Sequence, residues 1–262
     1  MPEWYRESFD ELYSDLYSHR DDEESVRVVE LLGRFVRLPG SAVLDVCCGE
    51  GRYLKALSRA GAKAHGLDLS ETLLKRRDGT VGVFPDACVR GDMRSLPFRD
   101  GTFDMCINMF TSMGYFGKNE DELGVLREMR RVLKPRGYCF VDHGNLAWLK
   151  RHLEPHTVRR RPRFTTVETR AFLNDGRTVE KSVRVYPAHV PARGLSVLEP
   201  LRTYRERVRF FTRSELGDCM ARVGFDVLRV MGDYAGSAFD ECLSPRLIVL
   251  ARRRRVAAGR LE

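Results

Sequence analysis

Residues 42–54, AVLDVCCGEGRYL, constrain this chain more than any other stretch. A short apolar run ends in Asp45, two cysteines and the pair Gly49 and Gly51 follow, and a helical pattern then begins. That order reads as strand, glycine turn and helix, the junction at which open α/β sheets bind nucleotides. Charge narrows the ligand. A dinucleotide turn offers backbone N–H groups to a pyrophosphate at a helix N-terminus, and an acid inside the turn would repel that anion. Here Asp45 and Glu50 bracket the turn, and Leu54 takes the place of the third glycine of the dinucleotide fingerprint. The turn suits a ligand that lacks phosphate and carries positive charge.

Two further acids fall where a nucleoside needs them. Residues 62–67 form a second strand that delivers Asp68, 19 positions beyond Gly49. That is close to the ~20-residue offset at which a carboxylate reaches both hydroxyls of a ribose. Ser70 serves as the cap of the next helix, over 70–77, which leaves Asp68 for the sugar. A short strand at 87–90 ends in Gly91-Asp92-Met93, where Asp92 accepts from an adenine amino group and the Met93 N–H donates to the ring. S-adenosylmethionine, with an ammonium, a sulfonium and an adenosine, matches this set. A fourth strand at 103–109, an amphipathic helix from Asp121 to Leu133 and a fifth strand at 138–143 continue the alternation. Strands that alternate with helices imply an α/β fold with a parallel sheet and right-handed crossovers.

The rhythm changes after residue 150. Alternating runs at 164–173, 178–186 and 203–211, with an Asn-Asp-Gly turn at 174–176, read as an antiparallel cover inserted into the parallel sheet. Thr212 then caps a helix over 213–222, and strands follow at 226–231 and 246–253. At the other end, Tyr5, Phe9, Leu12, Tyr13, Leu16 and Tyr17 recur at helical spacing. They read as an amphipathic helix packed on the core or as a lid over the ligand. The expected organisation is an N-terminal helical lid at 1–40, a cofactor-binding core at 41–150, the cover at 151–211, and a return to the core sheet with a basic tail at 212–262.

Composition excludes several classes. No apolar run approaches the ~18 residues of a membrane helix, and the acidic, aromatic N-terminus has no signal-peptide core, so a cytoplasmic location is expected. Seven cysteines occur without a CxxC spacing, which predicts reduced, buried thiols and no zinc. The formal net charge is +8, concentrated in residues 150–163 and in Arg252–Arg255. Solvated surface is the preferred reading of both runs, and a nucleic-acid acceptor is the alternative they motivate.

The set VLDVCCGEGRYL, GLDLS, GDMRSLPF, FDMCINMFTSMGYF and REMRRVLKPRGYCFVDH, in that order, resembles the class I S-adenosylmethionine-dependent methyltransferases, in their bacterial small-molecule branch. The stretch from Phe210 to Arg253 is similar to the same branch. The resemblance implies a Rossmann-like sheet of seven strands with the last one antiparallel. It implies that Asp45, Gly49 and Gly51 lie beside the methionine part, with Cys47 where many relatives carry glycine. It places Asp68 on the ribose, Leu69 against the adenine, and Asn108 and Met109 under the sulfonium and its methyl group. Tyr13, Tyr17 and Arg20 would close over the cofactor, Arg20 pairing with its carboxylate. Arg136 replaces the first glycine of the usual PGG turn, with an effect expected only in a loop.

Methyl transfer from a sulfonium is an in-line displacement with a good leaving group and needs no metal. The protein has to hold a nucleophile ~3 Å from the methyl, which contributes roughly 7–11 kcal/mol. A general base adds roughly 10²–10⁴-fold for an alcohol, phenol or ammonium. His143, at the end of the fifth strand, and Tyr115, after the fourth, are the candidates for base and for orienting the acceptor. Ser112, Tyr204, Arg209, Tyr234 and Arg246 are the candidate acceptor contacts. The acceptor is expected to be a small molecule methylated at oxygen or nitrogen, and S-adenosylhomocysteine the other product; a non-catalytic S-adenosylmethionine-binding protein is a further alternative, because the motifs report binding and not turnover.

Overall fold

The computed structural model describes residues 4–255 apart from 7, 11, 13–15, 17–21, 76–86, 117, 189 and 192–197. Tyr13, Tyr17 and Arg20 therefore lie outside the described residues. After a single 3-10 turn at Trp4–Arg6, helix α1 (Asp22–Gly33) leads into β1 (Ala42–Val46), α2 (Arg52–Arg59), β2 (Lys63–Asp68), α3 (Glu71–Lys75) and β3 (Cys88–Arg90). Next come β4 (Phe103–Asn108), α4 (Asn119–Val132), β5 (Leu133–Gly144) and α5 (Leu146–His152). Strands β6 (His156–Arg160), β7 (Phe164–Phe172), β8 (Thr178–Pro187) and β9 (Arg202–Arg209) follow, then α6 (Arg213–Arg222), β10 (Phe225–Met231) and β11 (Arg246–Arg253).

Seven strands form one sheet in the order β10-β11-β5-β4-β1-β2-β3. Strand β11 runs antiparallel to both β5 and β10, and the remaining pairings are parallel. The period of two along each strand sorts side chains to opposite faces. Val43, Met105, Ile107, Phe140 and Ile248 pack with Val28, Leu32 and Leu57 of α1 and α2. Leu44, Val46, Cys106, Val141 and Val249 pack with Leu126, Met129, Leu216 and Met220 of α4 and α6. The chain order reverses between β1 and β4, so the loops after these two neighbours diverge and leave a crevice at their carboxyl ends. Asp45 and Asn108 arrive at that crevice from adjacent strands, Asp45 opposite Ile107 and Asn108 opposite Val46.

The predicted cap at Thr212 forms a complete capping box: its hydroxyl accepts from the Glu215 N–H, and the Glu215 side chain accepts from the Thr212 N–H. Two local expectations change. The basic stretch at 150–163, to which the sequence assigned no element, supplies the end of α5 and all of β6, a fourth strand of the antiparallel sheet β6-β7-β8-β9. Arg136 does not sit in a loop outside the sheet, because β5 begins at Leu133 and runs through it. It holds φ +66° with an exposed side chain. A side chain in that left-handed region costs roughly 1–2 kcal/mol. Arg136→Gly is therefore expected to raise Tm by about 2–4 °C in a thermal melt.

The antiparallel sheet meets the core at Gly114. The Arg209 N–H at the end of β9 donates to the Gly114 carbonyl at 2.8 Å. A Cβ on Gly114 would lie 2.1 Å from the Arg209 carbonyl oxygen, and φ there is +98°. Only glycine allows this approach. The described N-terminal residues bridge the two sheets: the Ser70 hydroxyl donates to the Phe9 carbonyl at 2.7 Å, and the Tyr204 hydroxyl donates to Asp10 at 2.7 Å. Leu16 packs among Phe164, Val183, Val185 and Tyr204, and Arg161 donates to its carbonyl.

Candidate functional site

The turn after β1 places Cys47, Gly49 and Gly51 in the left-handed region, at φ +68°, +55° and +81°. At position 47 glycine would adopt this backbone without a Cβ to strain. The turn's amides are turned inward. Those of Cys47 and Cys48 donate to the Leu67 carbonyl at 2.7 and 3.0 Å, Gly51 donates to Cys48, and Gly49 donates to Asp68 at 2.8 Å. A diphosphate would find these four donors already engaged.

Carboxylates dominate the same end of the sheet. Asp45 is 1% exposed, and neither of its oxygens has a hydrogen-bond partner. Burial, and then Asp68 and Cys88, push its carboxyl up to about 8, against the pull of Arg52. Asp68 is also buried and also raised, by burial first, although the Ser70 and Gly49 amides favour its charged form. The Cys47 thiol donates weakly to the Met93 sulfur at 3.4 Å. Burial, then Asp68, Asp45, Asp92 and Glu122 in that order, push this thiol well above its ordinary value. Two buried carboxylates, Asp45 and Asp68, thus lie at the turn itself. An unpartnered buried carboxylate is expensive unless an opposite charge joins it. The amino group of S-adenosylmethionine is such a charge, and the donor set around the turn fits it.

The residues expected to meet adenosine are partly engaged within the protein. Asp92 forms an ion pair with Arg94 at 2.7 Å, and the Arg94 guanidinium lies 4.6 Å from the centre of the Phe116 ring. Met93 is buried, Leu69 packs on the same apolar cluster, and the Gly91 N–H donates to the Asp68 carbonyl at 3.0 Å. At the end of β4, Asn108 is fully buried; its amide donates to the Val46 carbonyl at 3.0 Å while its oxygen has no partner. Met109 is buried beside it, and the Ser112 hydroxyl donates back to the Met109 carbonyl at 2.8 Å.

The sequence did not single out Asp142, and the structure builds a hub on it. Asp142 is fully buried at the end of β5. Its carboxylate accepts from Arg246 at 2.7 Å, from the Tyr234 hydroxyl at 2.8 Å and from the Phe110 N–H at 2.9 Å. Its carbonyl accepts from the Thr111 N–H at 2.9 Å. Phe110 and Thr111 are consecutive non-glycine residues at φ +61° and +63°. Such strain persists only where its surroundings over-determine it, and it clusters at functional sites. Tyr234 and Arg246, expected as acceptor contacts, thus meet Asp142 and hold the turn after Met109. A signal was present in the sequence: Asp142 and Arg246 each stand in an apolar strand, and β5 and β11 pair antiparallel. Arg52 and Glu24 were also missed; their side chains lie 3.1 Å apart, and the Phe110 ring sits between Arg52 and Arg246.

The remaining candidates divide. His143 is fully buried, edge-on to Phe210 and Phe211, with Nδ1 3.0 Å from the Gly144 carbonyl. Burial is the main cause that pulls it down to about 4, so the imidazole is neutral at physiological pH. Its Nε2 has no hydrogen bond; the Met113 carbonyl is near enough to act electrostatically but lacks hydrogen-bond geometry. Tyr115 stacks among Trp4, Tyr5 and Phe9, with ring centres 4.8, 6.3 and 6.2 Å away. Tyr204 is spent on Asp10, and Arg209 contacts Asn119, Glu215 and the Phe211 ring. Several basic groups are likewise engaged internally: Arg151 with the Cys242 carbonyl, Arg159 with Glu168, and Arg253 and Arg254 with the Leu133 carbonyl and Asp226. Among the described residues there is no cluster of three or more His, Cys, Asp or Glu side chains suited to a metal, and no helix long and apolar enough to cross a membrane.

Strand order, glycine turn and nearby carboxylates make an α/β crevice suited to a cationic ligand. Residues 44–141 match the family model described as a methyltransferase domain. The fold is shared with solved S-adenosylmethionine-dependent methyltransferases. The demethylmenaquinone methyltransferase of Lysinibacillus sphaericus is 39% identical over 104 residues, 38% of this chain and 42% of that protein. The match thus spans about two fifths of the length of that curated relative. The CcbJ methyltransferase from Streptomyces caelestis aligns over 95% of this chain and 99% of its own, with a TM-score of 0.78 at 17% identity. CalS10, an amino pentose methyltransferase from Micromonospora echinaspora solved with S-adenosylmethionine bound, aligns over 93% and 97% with a TM-score of 0.65 at 20% identity.

Proposed function

We propose that this chain is an S-adenosylmethionine-dependent methyltransferase that methylates an oxygen or nitrogen of a small molecule in the cytoplasm. The observation that carries the reading is the unpartnered, buried Asp45 at the mouth of the glycine turn. The cofactor supplies an electrophilic methyl on a good leaving group. The chain's own residues do the rest. Asp45 receives the ammonium, Asp68 the ribose, and Asp92 with Met93 the adenine. Asn108 and Met109 form the floor under the methyl. The strained turn at Phe110–Thr111, held by Asp142, begins the acceptor side, and Ser112 and Tyr115 continue it. The antiparallel sheet roofs the acceptor.

In this reading the reaction relies on positioning, which contributes roughly 7–11 kcal/mol. His143 serves in it as a buried neutral group that supports the Phe210–Phe211 corner. The shared fold of CalS10, an amino pentose methyltransferase, supports a small polar acceptor. The test is calorimetry with S-adenosylhomocysteine, followed by transfer of labelled methyl to a panel of amino sugars, phenols and hydroxy acids. Micromolar binding with transfer to one class is the expected result. Absence of binding at millimolar ligand overturns the reading.

A further inference from the structure

The acceptor side of the site depends on the loop between β4 and α4, and that loop is gripped at both ends by buried carboxylates. Asp142 grips its start. Its end is gripped by Glu122, which lies in the first turn of α4 and is 1% exposed. One Glu122 oxygen accepts from the Gly114 N–H at 3.1 Å, and the other accepts from the Phe116 N–H at 3.0 Å. The carbonyl of the same Gly114 accepts from Arg209 at the end of the antiparallel sheet. Gly114 is therefore pinned between α4 and the cover, and Tyr115 is carried between the two amides that Glu122 holds. A glutamate at this position breaks the apolar phase of α4, where Leu123, Val125, Leu126 and Met129 are buried.

We propose that Glu122 is a positioning residue: its carboxylate fixes the Ser112–Phe116 loop against the last cover strand and so sets where the acceptor meets the methyl. This rests on the methyltransferase reading only for what the loop faces. The clamp needs two acceptors. An ionised carboxylate offers one to each amide, whereas a protonated carboxyl or a carboxamide turns one end into a donor that faces an N–H. The grip therefore exists in full only when Glu122 is charged.

The groups around Glu122 determine when that is. Burial pushes its carboxyl up to about 7, the Gly114 and Phe116 amides and then Arg209 pull it down, and Asp121 on the same helix pushes it up slightly. From the glycine turn, Cys47 faces it and stays a neutral thiol. Arg94 lies over the Phe116 ring and is paired with Asp92. Arg209 is shared with Glu215, which Arg177 also contacts. His143, near the Met113 carbonyl, stays neutral from pH 5.5 to 8.5 because burial pulls it down to about 4. Asp45, pushed up to about 8, also titrates in this range.

The experiment compares the full-length protein with Glu122→Gln by amide hydrogen exchange of the peptide covering 109–116 from pH 5.5 to 8.5, corrected for intrinsic rates. The wild type is expected to gain about tenfold protection as pH rises through about 7. Glu122→Gln is expected to show the acid-form exchange at every pH, with far-UV circular dichroism unchanged. It is also expected to keep its affinity for S-adenosylhomocysteine within about threefold, since the methionine and ribose contacts are elsewhere. With the acceptor identified above, its acceptor KM rises about tenfold at pH 8.5 and matches the wild type at pH 5.5. Equal protection in the two proteins at pH 8.5, or a pH step that survives in Glu122→Gln and so belongs to Asp45, overturns the proposal. If S-adenosylhomocysteine fails to bind the wild type, the methyltransferase reading falls while the exchange data still decide Glu122.

Discussion

Asp45→Asn is expected to weaken S-adenosylhomocysteine binding at least about 30-fold, or about 2 kcal/mol, while raising the Tm of the unliganded protein at pH 8.5. The two effects have opposite signs because Asp45 contributes nothing to the empty fold. It is buried and its oxygens lack partners, so its charge is a penalty until a cation arrives. The pH dependence follows. The folded carboxyl titrates at about 8, well above its ordinary value of 3.8. Between those values the folded state holds a proton that the unfolded state has released. Asp45 therefore lowers stability progressively as pH rises across that window, and the loss levels off above it. A bound ammonium relieves the penalty, so the ligand-induced rise in Tm should be larger at pH 8 than at pH 5 in wild type and flat in Asp45→Asn. A thermal-shift series in several buffers measures all three quantities. A thermal shift in wild type that does not change with pH would remove Asp45 from the binding account.

Asp142→Ala should cost about 3–5 kcal/mol, because it leaves the Arg246 guanidinium uncompensated at the sheet end and frees the Phe110 amide. For a chain of this size that is a fall in Tm of about 6–20 °C. Removing both charges, as Asp142→Leu with Arg246→Met, should recover most of the loss, since a buried pair contributes little net stability over apolar residues of similar volume. The double variant should nonetheless lose methyl transfer. The Phe110–Thr111 turn would keep its place in the chain but lose the carboxylate that holds its left-handed backbone. Stability recovered together with full activity would show that the hub is structural only.

The parts of this protein that were legible in sequence are those set by local chemistry. The acid before the glycine turn, the acid ending β2, the acid just after β3, and the Thr212 capping box are each read from a few neighbouring residues. Their positions in the chain fix what they face. Asp142, Glu122 and the roles of Tyr234, Arg246 and Tyr204 were not legible in this way. Arg246 can be noticed as a charge in an apolar strand, but its partner is 104 residues away and becomes visible only when β5 and β11 are laid side by side in register. Glu122 can be noticed as an acid on an apolar helix phase, yet nothing nearby says that its oxygens meet two amides of the preceding loop. The basic stretch at 150–163 misled for a related reason. Its charge pattern hides a strand because β6 is an edge, paired only with β7, and four of its five residues are polar or basic.

The sequence alone determined the class of sheet, the glycine turn and the acids that gather beside it, because strand periodicity, glycine turns and acids at strand ends act over a few residues. The tertiary structure alone decided that Asp45 has no hydrogen-bond partner, that Asp142 and Glu122 hold the two ends of the loop between β4 and α4, and that Gly114 joins cover to core. Those facts depend on distances between segments far apart in the chain. Burial and hydrogen-bond saturation are properties of packed surroundings, and no residue carries them by itself.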